Sequence, residues 1–275
     1  MDIHPLFGPV VLERNWVPAP SYLLRRDRIF QLLAGSQPGR LLEIGCGAGA
    51  LLFELASRGF DCEAYETSPE ALALARYVNE RVAGARPTLY STKQPHWPAR
   101  FDYLCAFEVL EHIDDHAAAL REWRSWLTPG GRLLLSVPAH QHRWGIDDVC
   151  AGHLRRYERS NLVALLGGAG FAVEQLDCYG FPLANLIRPL RGLKFRRRMR
   201  AAAASGSAVD SAHRYGRDHA ADTEQSGIDR ATESRLFGIY RGVPGRLALR
   251  TAFALQHLFV STELGTGYLV SARAS

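Results

Sequence analysis

The chain has 275 residues, 47% hydrophobic and 22% charged, a globular composition with room for one large α/β domain and an appendage. No apolar run approaches the roughly 20 residues that cross a bilayer, and "MDIHPLFGPVVLERN" has an early acid and two prolines where an export signal needs an apolar core, so membrane-spanning and exported classes are not expected. The net charge of +5, with a pI near 9.1, permits acidic partners and names none.

In chain order, "SYLLRRDRIFQLLAG" has helical spacing, with Ser21 read as its cap and Gly35 as its stop. "RLLEIG" is then a first strand and "AGALLFELASRG" its helix; "FDCEAYE" is a second strand. "SPEALALARYVNERVAG" is a helix with Ser68 as cap and Pro69 at its first position. "PTLY" and "FDYLCAFE" follow as strands three and four. "DHAAALREWRSWL" is a helix ended by "TPGG", and "RLLLSVP" is strand five. "ERSNLVALLGGAG", capped near Ser160, is a helix leading into strand six, "FAVEQLDCYG". Residues 183 to about 260 interrupt this alternation with a basic run, a small-residue stretch expected to be mobile, and two helical stretches, "TESRLFGIYRG" and "PGRLALRTAFALQHLFVST". "GTGYLVSARAS" closes the chain as strand seven. Alternating strands and helices predict a Rossmann-like parallel sheet covered on both faces. Five cysteines without CxxC spacing, three of them (Cys46, Cys62, Cys105) in or beside apolar strand-like segments, point to buried thiols in a reduced, cytoplasmic protein.

"LLEIGCGAGA" carries two readings. Gly45, Gly47 and Ala50 fit the dinucleotide fingerprint G-x-G-x-x-G/A of a nicotinamide or flavin enzyme. Glu43 to Gly49 fit E-x-G-x-G-x-G equally well. An acid two residues before Gly45 would repel a pyrophosphate, yet it suits a ligand bearing an ammonium and a sulfonium. Glu66, about 17 residues after Gly49 at the end of strand two, can accept ribose hydroxyls in either case. The Tyr-x-x-x-Lys pair of a dehydrogenase is missing: Asn161 stands four residues after Tyr157, and Arg81 four after Tyr77.

With "LLEIGCGAG", the acid of "AYETSP", "FDYLCAFEVLEHIDD", "LTPGGRLLLSVP" and "LLGGAGFAVEQL" in this order, the chain resembles the class I S-adenosylmethionine-dependent methyltransferases over residues 20 to 180 and the last strand. The resemblance implies a seven-stranded sheet of order 3-2-1-4-5-7-6 with the last strand antiparallel and a helical insertion before it. It implies S-adenosylmethionine as cofactor and S-adenosylhomocysteine as product. The likeness is to the small-molecule branch, such as the quinone-biosynthesis O-methyltransferases. Base-modifying members carry Asn/Asp-Pro-Pro-aromatic where this chain has "FEVLEH". The cofactor is then expected against Glu43, Gly45, Cys46, Gly47, Gly49, Glu66, Thr67, Ser68, Phe107 and Glu108, with Tyr22 and Arg25 closing over it from the first helix. Where family members place an acid after strand three for the adenine, this chain offers Ser91 and Thr92.

Two stretches outside the glycine loop carry chemistry. In "EVLEHIDDH", Glu108 and Glu111 share a helical face with His112 beside them. One reading lines the cofactor site, one leaves solvated acids, and one holds a metal. In the last, Glu108, Glu111, His112 and His153 resemble the ligand set of small-RNA 2′-O-methyltransferases. "EVLEH" also occurs in metal-free relatives, and no metal is assigned from sequence. "WGIDDVCAGHLRRYERSNL" follows strand five, where the family builds substrate contacts. His153 is the candidate base, since an imidazole titrates near neutral pH, with His112 and Tyr157 as further catalytic candidates. Arg155, Arg156 and Trp144 are candidate acceptor contacts; the competing reading pairs an arginine with Asp147 or Asp148 to stiffen the loop.

These readings predict a methyltransferase core over 1–182, a helical and basic insertion over 183–262 acting as a lid, and a final core strand over 263–275. The expected activity is methyl transfer to a hydroxyl or carboxylate oxygen of a small or lipid-like molecule. A NAD(P)-dependent oxidoreductase and a lipid- or RNA-associated protein keeping the fold are the rivals. The basic run 188–200 suggests peripheral membrane contact, and its having little aromatic interleaving argues against nucleic acid.

Overall fold

In the computed structural model, the residues described are 3–82, 84, 86–189 and 230–275. Seven apolar runs become strands: β1 (Arg40–Ile44), β2 (Asp61–Tyr65), β3 (Thr88–Tyr90), β4 (Phe101–Phe107), β5 (Leu127–Pro138), β6 (Phe171–Tyr179) and β7 (Gly267–Ala274). They pair in the order β3-β2-β1-β4-β5-β7-β6. β7 runs antiparallel to both β5 and β6, and the other pairings are parallel. The expected topology is therefore present.

Eight helices with both ends among the described residues accompany the sheet: α1 (Pro20–Leu32), α2 (Ala50–Ala56), α3 (Pro69–Asn79), α4 (His116–Trp126), α5 (Ile146–Ala151), α6 (Arg159–Gly168), α7 (Ala231–Arg241) and α8 (Val243–Phe259). Successive strand side chains point to opposite faces, so each central strand feeds two cores. Leu42, Leu104, Leu133 and Leu135 pack with Leu120 and Trp123 of α4 and with Leu162 and Leu166 of α6. Leu41, Cys105, Leu134 and Leu269 pack on the other face with Ile29 of α1 and Leu52 and Leu55 of α2. All five cysteines are free thiols, and Cys46, Cys62 and Cys105 are buried as expected.

The structure corrects several boundaries. α1 starts at Pro20, flanked by Ala19 with no side-chain cap, so Ser21 is not its cap; a proline already lacks the N–H that a cap would satisfy. α6 starts at Arg159 after Glu158, ahead of Ser160. α4 ends at Trp126, just before "TPGG", but β5 begins at Leu127 and not at Arg132, so "TPGG" lies inside the strand, opposite an irregularity between Phe101 and Tyr103. Ser68 does cap α3, accepting from the Ala71 N–H at 3.2 Å, with Pro69 following.

α7 and α8 are not a separate body. Phe237, Leu249 and Phe253 pack with Phe7, Leu23 and Leu24 around α1. Gln256, fully enclosed, accepts from the Gly180 N–H at 2.8 Å and donates to the Leu24 carbonyl at 3.0 Å, tying α8 to α1 and to the end of β6. The expected small-residue stretch and all of the 188–200 basic run beyond Pro189 fall outside the described residues. Among those described, no helix is long and apolar enough to cross a membrane.

Candidate active site

The C-terminal ends of β1, β2, β4 and β5 open into one cavity of about 1270 Å³, closed from above by Trp16, Tyr22 and Arg25 and at one side by Ala184, Arg188 and Arg230. Ligands of open α/β sheets sit at this edge.

Local backbone needs explain the glycines. Gly47 has φ +54, and a Cβ built on it would meet nothing within 4 Å, so the loop leaves open space for a ligand to approach bare backbone. Gly49, at φ +70, precedes α2, and its Cβ would lie 2.6 Å from the Phe53 ring. It shapes the turn and does not line the cavity, contrary to its expected place among the cofactor contacts. Glu66 shapes the same loop, accepting from the Gly47 N–H at 2.8 Å and the Ser68 N–H at 2.9 Å.

Glu43 is buried, and its Oε2 has no hydrogen-bond partner. Burial pushes its carboxyl up to about 8, opposed by Arg25 and reinforced by Glu66. An orphaned buried carboxylate oxygen facing a cavity is a ready acceptor for a ligand cation. Glu108 follows β4 with φ +58, in the left-handed region that non-glycine residues seldom adopt. Its Oε1 is held by the Ser136 hydroxyl at 2.9 Å, the Tyr179 hydroxyl at 3.1 Å and Arg25 at 3.4 Å. Burial raises its carboxyl, but Arg25, Ser136, His153 and Tyr179 outweigh burial and hold it below the usual range.

A second group faces the same space. The His153 Nδ1 lies 2.9 Å from Asp148 Oδ1, and the His112 Nδ1 lies 3.0 Å from the Gly152 carbonyl. Both partners only accept, so both rings donate from Nδ1, which leaves Nε2 as the atom each ring offers to another partner. His153 Nε2 is 3.8 Å from Glu111 Oε1, and the two rings stand edge to face with centroids 5.0 Å apart. Glu111 is fully buried, and neither of its carboxylate oxygens has a hydrogen-bond partner. Burial, with the Glu108 charge second, pushes its carboxyl well above the usual range. Burial and the His153 charge lower His112 to about 4.

The cavity thus gathers Tyr22, Arg25, Glu43, Gly45, Cys46, Gly47, Glu66, Thr67, Ser68, Phe107, Glu108, His112, His153 and Arg156 from the sequence-derived candidates. Besides Gly49, it leaves three others aside. Tyr157 is a core residue: its backbone pairs with Ala139, and its hydroxyl meets the Leu110 carbonyl and His116. Arg155 spends its guanidinium on the Ile113 and Asp114 carbonyls. Trp144 is 38% exposed, outside the cavity. Arg156, though in the wall, is committed to Asp148 at 2.8 Å, the loop-stiffening pair weighed above. Ser91 and Thr92 do not line the cavity, whereas Lys93 does. Sequence reading missed Tyr179, Ser136, Trp16 and Arg188; Ser136 lies inside "LTPGGRLLLSVP" and Arg188 opens the basic run, but neither spacing pointed to the cavity.

A family model described as "Methyltransferase domain" matches residues 19–176. An Alkalilimnicola ehrlichii protein named ubiquinone biosynthesis O-methyltransferase is 31% identical over 170 residues, 60% of this chain and 62% of the relative. A Xylella fastidiosa protein of the same name is 34% identical over 106 residues, covering 36% and 41%. The matched stretches thus span less than two thirds of these relatives' own lengths. Among solved structures, the cyclase SpnF superposes with a TM-score of 0.55 at 19% identity, covering 99% of this chain and 87% of that one. A Haemonchus contortus phosphoethanolamine N-methyltransferase in complex with S-adenosyl-L-methionine gives 0.53 at 16%, covering 90% and 52%. At such identities the structural likeness speaks for the fold.

Proposed function

The chain belongs to the methyltransferase domain family, and from that premise we propose that it is an S-adenosylmethionine-dependent O-methyltransferase acting on a small hydroxylated molecule. The observation that carries this reading is the buried, unpartnered Glu43 beside Gly47 and Glu66 in one cavity, which suits a ligand with a cationic amine at one end and ribose hydroxyls at the other. Bound there, the cofactor supplies a methyl group already activated by its sulfonium. Glu43 binds the ammonium, Glu66 accepts from ribose with its remaining lone pairs, and the Tyr22–Arg25 face of α1 covers the methionine end. The chain's further task is to hold an acceptor oxygen in line and manage its proton.

His153 is placed for that second task. Asp148 orients it through Nδ1, and Nε2 is free to take a proton from an acceptor hydroxyl. We assign acceptor specificity to the 183–262 segment acting as a lid, on the support of Ala184, Arg188 and Arg230 in the cavity wall. The ubiquinone-biosynthesis relatives favour a phenolic acceptor of quinol type. His153→Ala should lower kcat on such an acceptor by about 10²-fold or more while leaving cofactor affinity unchanged. An unaltered kcat contradicts the assignment.

A second reading of the same hydroxyl activation rests on Glu111, His112 and His153, whose ligand atoms lie within 4.8 Å of one another. Two imidazole nitrogens and a carboxylate without a hydrogen-bond partner suit a divalent cation, with Asp148 and the Gly152 carbonyl fixing the rings through Nδ1. Such a cation would lower the pKa of an acceptor hydroxyl. Chelation separates the readings: activity lost to a chelator and restored by one divalent metal favours the cation, and activity indifferent to chelation favours His153 alone.

A further inference from the structure

A second group of donors lies outside the cavity, at the same edge of the sheet. The end of β5, the end of β6 and the loop entering β7 bring His140, Cys178 and Glu263 together, with ligand atoms all within 4.8 Å of one another. Cys178 belongs to the core below the sheet, whereas its neighbour Tyr179 belongs to the core on the opposite face and reaches the cavity. None of these three residues lines the proposed active-site cavity.

Its geometry is that of a loosened ligand set. The Cys178 Sγ lies 3.7 Å from His140 Nε2. A nitrogen and a sulfur bound tetrahedrally to one zinc-like ion, at about 2.05 and about 2.3 Å, stand about 3.6 Å apart. The other ring nitrogen, Nδ1, faces Glu158 Oε2 at 3.7 Å and the Tyr268 hydroxyl at 3.5 Å, where a metal-bound histidine characteristically finds its orienting partner. His140 and Cys178 are 4% and 1% exposed, while Glu263 is at the surface and gives an ion a way in. His140 also carries a left-handed backbone, φ +66, that turns its ring under the end of β5. Glu263 is already aligned by Arg159 and the Tyr268 hydroxyl, which leaves its oxygens further lone pairs.

We propose that His140, Cys178 and Glu263 form a structural site for a thiophilic divalent cation of the zinc type, clasping the loop before β7 to the end of β5. Binding replaces the thiol S–H by an S–metal bond and releases that proton to solvent, so thiolate and carboxylate together balance the two positive charges. Burial pushes the free Cys178 thiol up to about 12, which makes the affinity rise steeply with pH. The site does not depend on the methyl-transfer reading, and neither test bears on the other.

The experiment titrates the full-length, chelator-stripped and fully reduced protein with Co²⁺, reading thiolate-to-cobalt charge-transfer absorption in the near ultraviolet. Wild type should bind with that absorption; Cys178→Ser should lose it. His112→Ala, which removes the cluster in the cavity, should keep it. Glu158→Gln should weaken binding by about tenfold. Circular dichroism before metal addition checks folding, and if Cys178→Ser does not fold, Glu263→Gln at the surface decides by weakening or not weakening Co²⁺ binding. Absence of the absorption in folded wild type overturns the proposal. So does its persistence in Cys178→Ser, or binding lost on His142→Ala but kept in Cys178→Ser, which would move the ion to the neighbouring His140–His142–Glu158 group.

Discussion

At the scale of single residues, Glu43 is the group on which the proposed cofactor site depends. Its folded pKa, about 8, lies above the ordinary value of 4.5, so between those limits the ligand-free folded state holds a proton that the unfolded chain has lost. Stability should therefore fall as pH rises through that window, and Glu43→Gln should remove that slope. Pairing with a ligand ammonium favours the carboxylate, so binding near pH 7 should release a proton. Calorimetry in buffers of different ionisation enthalpy reads this directly. Wild type should show close to one proton released and Glu43→Gln none, with affinity weaker by about tenfold, or about 1.4 kcal/mol. Equal proton release by both proteins would remove Glu43 from the cofactor site. Glu43, Gly47, Glu66 and His153 were legible because each sits in a short local pattern. Tyr179 and Ser136 were not: they meet Glu108 from 71 and 28 residues away, through strand pairing that no local spacing encodes. Tyr157 misled for the opposite reason. It stands among titratable loop residues, but backbone pairing with Ala139 turns its ring into the core.

At the scale of elements, hydrophobic alternation and glycine punctuation located every strand, and the errors gathered at ends. Pro20 and Glu158 set boundaries where a serine cap had been expected, and strand pairing starts β5 at Leu127 where Arg132 had been expected. The short α5 was unread for a similar reason: only the Asp148 carboxylate accepting from the Gly145 N–H at 2.9 Å begins it, and that same carboxylate orients His153. The packing of α8 on α1 was likewise invisible, since its anchor is a glutamine. Replacing Gln256 with leucine strands the Gly180 N–H and the Leu24 carbonyl without partners. Urea unfolding should then show a loss of about 2 kcal/mol. A loss below half of that would mean α8 is held by its apolar contacts alone.

At the scale of the whole molecule, the sheet order and the place of the cavity follow from a pattern of alternating strands and helices, whereas the ligand does not. A parallel sheet with a glycine loop after its first strand serves dinucleotide and methyl-donor enzymes alike, and the superposition with a cyclase underlines that fold leaves chemistry open. What distinguishes this chain is charge placed inside the cavity: Glu43, beside the glycine loop where a dinucleotide would bring its pyrophosphate. The most direct test is calorimetric titration of the full chain with S-adenosylhomocysteine and, separately, with NADH. One saturable site for S-adenosylhomocysteine, weakened in Glu43→Gln, and no binding of NADH is the predicted result; a site that takes NADH and ignores S-adenosylhomocysteine would contradict it.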